Sequence, residues 1–161
     1  MAKWLPKQSA LFTLLICGST YFVAYGSAVA QQADIAAAVT SFDVAIGSLD
    51  WAQMEPLWTH DADISLILPE SKAVAIGPEA VKQAFGGEFQ ALAELKVTGL
   101  GAPLIHVKGD TAWVTRLTNG KGKTKSGFAF DEPTFDSSVY EKREGKWMLV
   151  SKTALRMSMP K

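Results

Sequence analysis

Tyr140 and Asp136 are the two side chains whose types and spacing could do chemistry together. Phe135 to Met157 reads as two long strands around a tight turn at Arg143-Glu144-Gly145-Lys146. Strand side chains alternate with a period of two, so Asp136, Ser138, Tyr140 and Lys142 share one face, and Phe135, Ser137, Val139 and Glu141 the other. If the first face lines a pocket, the Tyr140 phenol could donate to a ligand carbonyl and the Asp136 carboxylate could accept a proton, a pairing suited to enolisation. A tyrosine at a subunit interface with a hydrated hydroxyl fits the same pattern.

His60 beside Asp61 and Asp63 is the densest polar cluster and a third catalytic candidate, as a general base. Its spacing matches no recognised metal motif, and aspartates that stabilise a solvated turn account for it more simply. His106 stands between Ile105 and Val107 and points away from them, towards the exposed face of a strand. No metal site and no cofactor is expected. Trp58 and Trp113 are candidate walls of an apolar ligand site, although large aromatics also serve simply as core. Arg116 and Arg156 share strand faces with apolar neighbours, which calls for a carboxylate partner in a ligand, in another subunit or within the chain.

These residues need elements to hold them. Ile35, Val39, Phe42, Ile46 and Leu49 recur at spacings of four and three, the stripe of an amphipathic helix that Asp34 can cap. Asp50, with Gln53 three residues on, opens a second helix that Pro56 keeps short. Short strands are predicted at Ile64–Leu68 and Ala73–Ile76, and Gly77-Pro78-Glu79 starts a third helix with Val81, Phe85, Phe89 and Leu92 on its stripe. Gly86-Gly87 inside that helix costs up to about 1 kcal/mol per residue in propensity, which predicts close packing there. Lys96–Lys108 reads as one bent strand, Thr111–Leu117 as the next, and Asn119–Gly127 as a flexible basic loop. The final hairpin takes its positive φ from Gly145 and is too long to stand alone in water, so helices must cover it. The predicted core includes Phe42, Ile46, Trp58, Phe85, Phe89, Val114, Val139 and Leu149.

The 161 residues are 48% hydrophobic and balance 16 Lys+Arg against 16 Asp+Glu, which suits one core and offers no basic footprint for nucleic acid. Residues 1–30 differ from the rest. Lys3 and Lys7 precede an apolar run from Ala10 to Tyr25, and Ser27-Ala28-Val29-Ala30 ends in the small-x-small pattern of a signal-peptidase site. The run is short for a membrane span and is broken by Gly18, Ser19, Thr20 and Gly26. Residues 1–30 are therefore expected to be a secretory signal and 31–161 the mature domain, periplasmic or secreted, meeting the membrane only through the signal segment. Cys17 is the single cysteine, so cleavage after Ala30 leaves no thiol for disulfide, nucleophile or zinc chemistry.

The order of elements, with LWTHDADISLILPE, then Gly77-Pro78-Glu79, then VYEKREGKWMLVSK, resembles the SnoaL-like branch of the nuclear transport factor two-like superfamily over residues 34–157. The motifs are Leu57-Trp58 with Asp61, Gly77 with its helix, and Gly145-Lys146-Trp147. The resemblance implies an α+β cone, three N-terminal helices packed in a curved antiparallel sheet with a pocket at the wide end, and commonly a homodimer through the outer sheet face. Its members include isomerases, cyclases, dehydratases, ligand binders and association modules, so fold alone does not decide function. The chain departs from the enzymes in two respects: several carry a histidine late on the final strand, where Thr153 stands here, and the isomerase-like pair of a carboxylate base with a tyrosine or second acid is not legible from spacing alone. The expected function is binding of a small apolar or amphipathic ligand in the cone. The alternatives are an acid–base enzyme using Tyr140, Asp136 or His60, and a structural dimerisation module.

Overall fold

The computed structural model describes residues 17–157. Most of the expected signal segment, residues 1–16, lies outside them. Helix α1 spans Cys17–Gly47 without a break, so Asp34 lies inside it and caps nothing. The alanine-rich stretch before Asp34 has no breaker strong enough to start a new helix there. Ile35, Val39, Phe42 and Ile46 are buried as their spacing requires, and Leu49 packs at the edge of the core. Asp50 caps α2 (Trp51–Met54) by accepting from the Ala52 N–H at 3.0 Å. Pro56 then follows in a single 3₁₀ turn, Glu55–Leu57, in place of further α-helix.

Two short strands, β1 (Ser65–Ile67) and β2 (Ala75–Ile76), lead to α3 (Pro78–Ala91), whose first residue is the proline. Gly77 precedes it at φ 86°, a left-handed conformation that favours glycine. Val81, Phe85 and Phe89 are buried beneath α3. Gly86 and Gly87 do not mark a close approach: a Cβ on either would meet no atom within 4 Å. Both lie away from the buried stripe.

Five more strands follow: β3 (Leu92–Gly99), β4 (Leu104–Lys108), β5 (Thr111–Thr124), β6 (Ala129–Arg143) and β7 (Lys146–Arg156). The sheet order is β2-β1-β7-β6-β5-β3, with β4 also on β5 and only β1–β7 parallel. Lys96–Lys108 is thus two strands rather than one, β4 pairing with the first half of β5 and β3 with the second. The predicted loop at Asn119–Gly127 is mostly strand too. Asn119–Thr124 finishes β5 because its backbone groups are paired on both sides, and only residues 125–127 turn the chain. The last hairpin turns as predicted, with Glu144 at φ 50° and Gly145 at φ 82°.

The curved sheet wraps α1 and α3, and between them lies a core built on Phe42, Met54, Trp58, Leu66, Phe85, Val114 and Leu149. Val139 is the exception among the predicted core residues, being only half-buried. On β6 it is Asp136, Ser138 and Tyr140 that face inward, which puts Val139 on the opposite face. A bulge then re-aims β7. Tyr140 opposes Leu149 while Val139 opposes Ser151, so Val150 is an extra residue between them. Trp147 and Leu149 point inward before the bulge, Lys152 after it.

Candidate functional site

The inward face of β5 carries Thr118, Gly120, Gly122 and Thr124, where larger side chains would have filled the cone. Phe130 closes over Gly122 so tightly that a Cβ there would sit 2.6 Å from its Cζ. Above Gly120 nothing does. What remains is a cavity of about 330 Å³ between α1, α3 and the sheet. Its walls are Phe42, Ile46, Leu92, Leu95, Val97 and Phe130, and the exposed Phe128 stands at its mouth.

The floor is ionic. Lys152 Nζ donates to both carboxylate oxygens of Asp136 at 2.6 Å, and Arg116 donates to Asp136 Oδ2 from Nε at 3.2 Å and Nη2 at 3.0 Å. On its other side Arg116 forks onto Asp43 of α1, at 2.7 and 2.6 Å. Ser138 donates to Asp136 Oδ1 at 3.0 Å, and the hydroxyls of Thr118 and Thr134 lie 2.6 Å apart. Lys152 and Asp136 are almost wholly buried, 4% and 3% exposed, so the four charges must cancel among themselves. They do: two aspartates meet one lysine and one arginine. The Lys152 ammonium also stands 4.5 Å over the Phe42 ring.

Burial alone would raise the Asp136 carboxyl, but Lys152 and Arg116 outweigh it and hold it below the ordinary aspartate range. Burial pulls the Lys152 ammonium down from the ordinary lysine value, a shift that Asp136 opposes. For this pair the 2.6 Å contacts decide, and both groups are charged. Arg116 is raised by its two aspartates against its own desolvation. Tyr140 is pushed up chiefly by burial, with the Asp136 charge adding to it, and stays a neutral phenol.

The residues nominated from sequence divide into three groups. Asp136, Arg116 and Tyr140 come together on the inward face, and Asp136 lines the cavity. Arg156 sits at the cavity mouth, paired with Glu70 and, at 2.7 Å from Nε, with Glu132. The others lie elsewhere. His60 is exposed and borders a separate recess of about 80 Å³ with Trp58 and Glu79, away from Tyr140 and Asp136. Trp58 is core, its ring 6.1 Å from that of Phe85. Trp113 is on the outer face, stacked on His106 at 4.2 Å.

Three charged residues of the site escaped the sequence reading. Asp43 stands four residues after Val39 and three before Ile46, so its place at the edge of the apolar stripe was a usable signal. Lys152 reaches the floor only through the bulge at Val150. That bulge also settles Thr153, which pairs with Ser137 on the outward side while Lys152 and Ala154 flank it on the cavity side. Glu88, half-buried on the cavity wall, gave no sequence signal beyond its place in α3. Among the described residues, no group of three or more His, Cys, Asp or Glu is placed to hold a metal ion.

The sequence pattern of the SnoaL-like domain matches residues 35–155. The chain belongs to the SnoaL-like family. Solved structures share the fold of this SnoaL-like domain. A nuclear transport factor 2-like superfamily protein from Salmonella enterica superposes with a TM-score of 0.73 at 16% identity, over 84% of this chain and 96% of that one. A candidate dehydratase of the nuclear transport factor 2-like family from Streptomyces avermitilis gives 0.70 at 20% identity, over 78% and 96%. The association domain of C. elegans CaMKII gives 0.63 at 24% identity, over 80% and 98%. Identities this low establish the cone and nothing about its chemistry. No curated protein matches the chain.

Proposed function

We propose that this SnoaL-like domain is exported and binds a small amphipathic molecule in its cone. The observation that carries the reading is the cavity itself, about 330 Å³ with apolar walls over a floor of Asp136, Lys152, Thr118 and Thr134. That volume lies in the range of small-molecule sites, about 300–1,000 Å³, and a few fixed polar groups among apolar walls are their usual composition. The Asp136 carboxylate, with its oxygens already taken by Lys152, Arg116 and Ser138, is a poor general base, which favours binding over enolisation. The neutral dye N-phenyl-1-naphthylamine tests the pocket. Saturable fluorescence at one dye per chain, lost in Ala154→Trp, supports the reading, and a dye response unchanged by that substitution removes it.

The outer sheet face supports a second proposal, pairing with another copy of the chain. Leu117, Phe135 and Leu155 oppose one another across β5, β6 and β7, next to a row of Thr115, Ser137 and Thr153. All three apolar residues are exposed, and neither row carries a charge. An uncharged apolar row meets a second copy of itself across a twofold axis without like-charge repulsion. Export is tested by the mass of the protein recovered from the periplasm or medium, which is expected to begin at Gln31. Recovery of the full chain in the cytoplasm alone would remove that part of the proposal.

A further inference from the structure

We propose that the occupant of the cone carries a positive charge, an aliphatic ammonium that pairs with Glu88 while its apolar tail lies along the cavity wall. This rests on the ligand-binding reading above and concerns only the chemistry of the ligand.

Charge pairing along the cavity leads to it. On the floor, Asp43 and Asp136 are answered by Arg116 and Lys152. At the mouth, Glu70 and Glu132 share one cation, Arg156. Glu88, on the wall between, has no cation within salt-bridge distance among the described residues and accepts no hydrogen bond on its side chain there. The cavity therefore carries an excess of two negative charges, one at Glu88 and one spread over the mouth. An unpaired carboxylate half-buried beside apolar surface is costly to keep unless something completes it.

The setting of Glu88 adds to the same sign. It stands in the last turn of α3, where the helix backbone presents its negative end and no basic residue offsets it. Burial and the Glu70 carboxylate push Glu88 up from the ordinary glutamate value, and Arg156 recovers only part of that shift. Phe128 and Phe130 line the same cavity, and aromatic rings attract cations. An anionic headgroup would meet the reverse in every respect. The two cations of the floor are already held by aspartates, and Arg156 by glutamates.

The test compares three probes with the same ten-carbon tail, decylamine, decanol and decanoate, titrated calorimetrically near neutral pH. The expected order is amine, alcohol, carboxylate, with the amine at least about tenfold tighter than the alcohol, as one charge-assisted hydrogen bond in a half-buried site implies. Glu88→Gln should bring the amine-to-alcohol ratio close to one, and Glu88→Lys should favour decanoate over decylamine. Decanoate binding as tightly as decylamine, or an amine preference untouched by Glu88→Gln, overturns the inference and leaves the pocket reading intact. Failure of all three probes to bind, together with no dye response, overturns both.

Discussion

At position 136 one buried carboxylate holds two cations, and Arg116 carries the connection on to Asp43 of the central helix. A buried ion pair repays its desolvation only when every charge is answered, so removing one partner costs far more than the pair is worth. Lys152→Met is expected to lower stability by about 3 kcal/mol, with Arg116 the one cation left to Asp136. The double variant Asp136→Asn with Lys152→Met should lose clearly less than the sum of the single losses, which urea denaturation of the four proteins measures. Acid gives a second check. The folded chain holds Asp136 below its unfolded value, so its stabilisation is present at neutral pH and is lost as pH falls through that depressed value. Between about pH 5 and pH 2 the wild type should lose stability more steeply than Asp136→Asn.

Among the elements, α3 and β7 show where spacing suffices and where it does not. The apolar stripe of α3 was readable, and Val81, Phe85 and Phe89 are buried as it requires. The Gly86-Gly87 pair was misleading, because no neighbour approaches either residue. Gly86→Ala and Gly87→Ala should therefore each raise stability, by up to about 1 kcal/mol in chemical denaturation, since alanine restores helix propensity at no steric cost. Gly122→Ala is the contrast. Its Cβ would strike the Glu94 carbonyl and the Phe130 ring, so it should destabilise. On β7 a strict period of two fails at Val150, whose insertion swings Lys152 inward and leaves Thr153 outside.

For the whole molecule, the cone has an inner face that keeps a cavity and an outer face that keeps an uncharged apolar row. The proposed pairing through the outer row predicts a dimer in native mass spectrometry, and Phe135→Glu should convert it to a monomer while the cavity still takes the dye. A monomeric wild-type protein would remove the pairing. Among the residues of α1 whose burial is described, 29–47, the buried stripe begins at Ile35, so cleavage after Ala30 takes no residue from the described core. Among the described residues no helix is long and apolar enough to cross a membrane.

From the chain alone came the order of the three helices, the final hairpin, the Asp50 cap, the Gly77-Pro78 helix start, the turn at Glu144-Gly145 and seven of the eight named core residues. These depend on local geometry and on apolar periodicity, both written in neighbouring residues. The ionic floor depends on neither. Asp43, Arg116, Asp136 and Lys152 are brought together from one helix and three strands, and their contact rests on strand register and on one inserted residue at Val150. The cavity is of the same kind, since Thr118, Gly120 and Thr124 leave a space only where the closed sheet sets them opposite α1 and α3. An empty volume and a cancelled charge belong to groups distant in the chain, and only tertiary structure places them side by side.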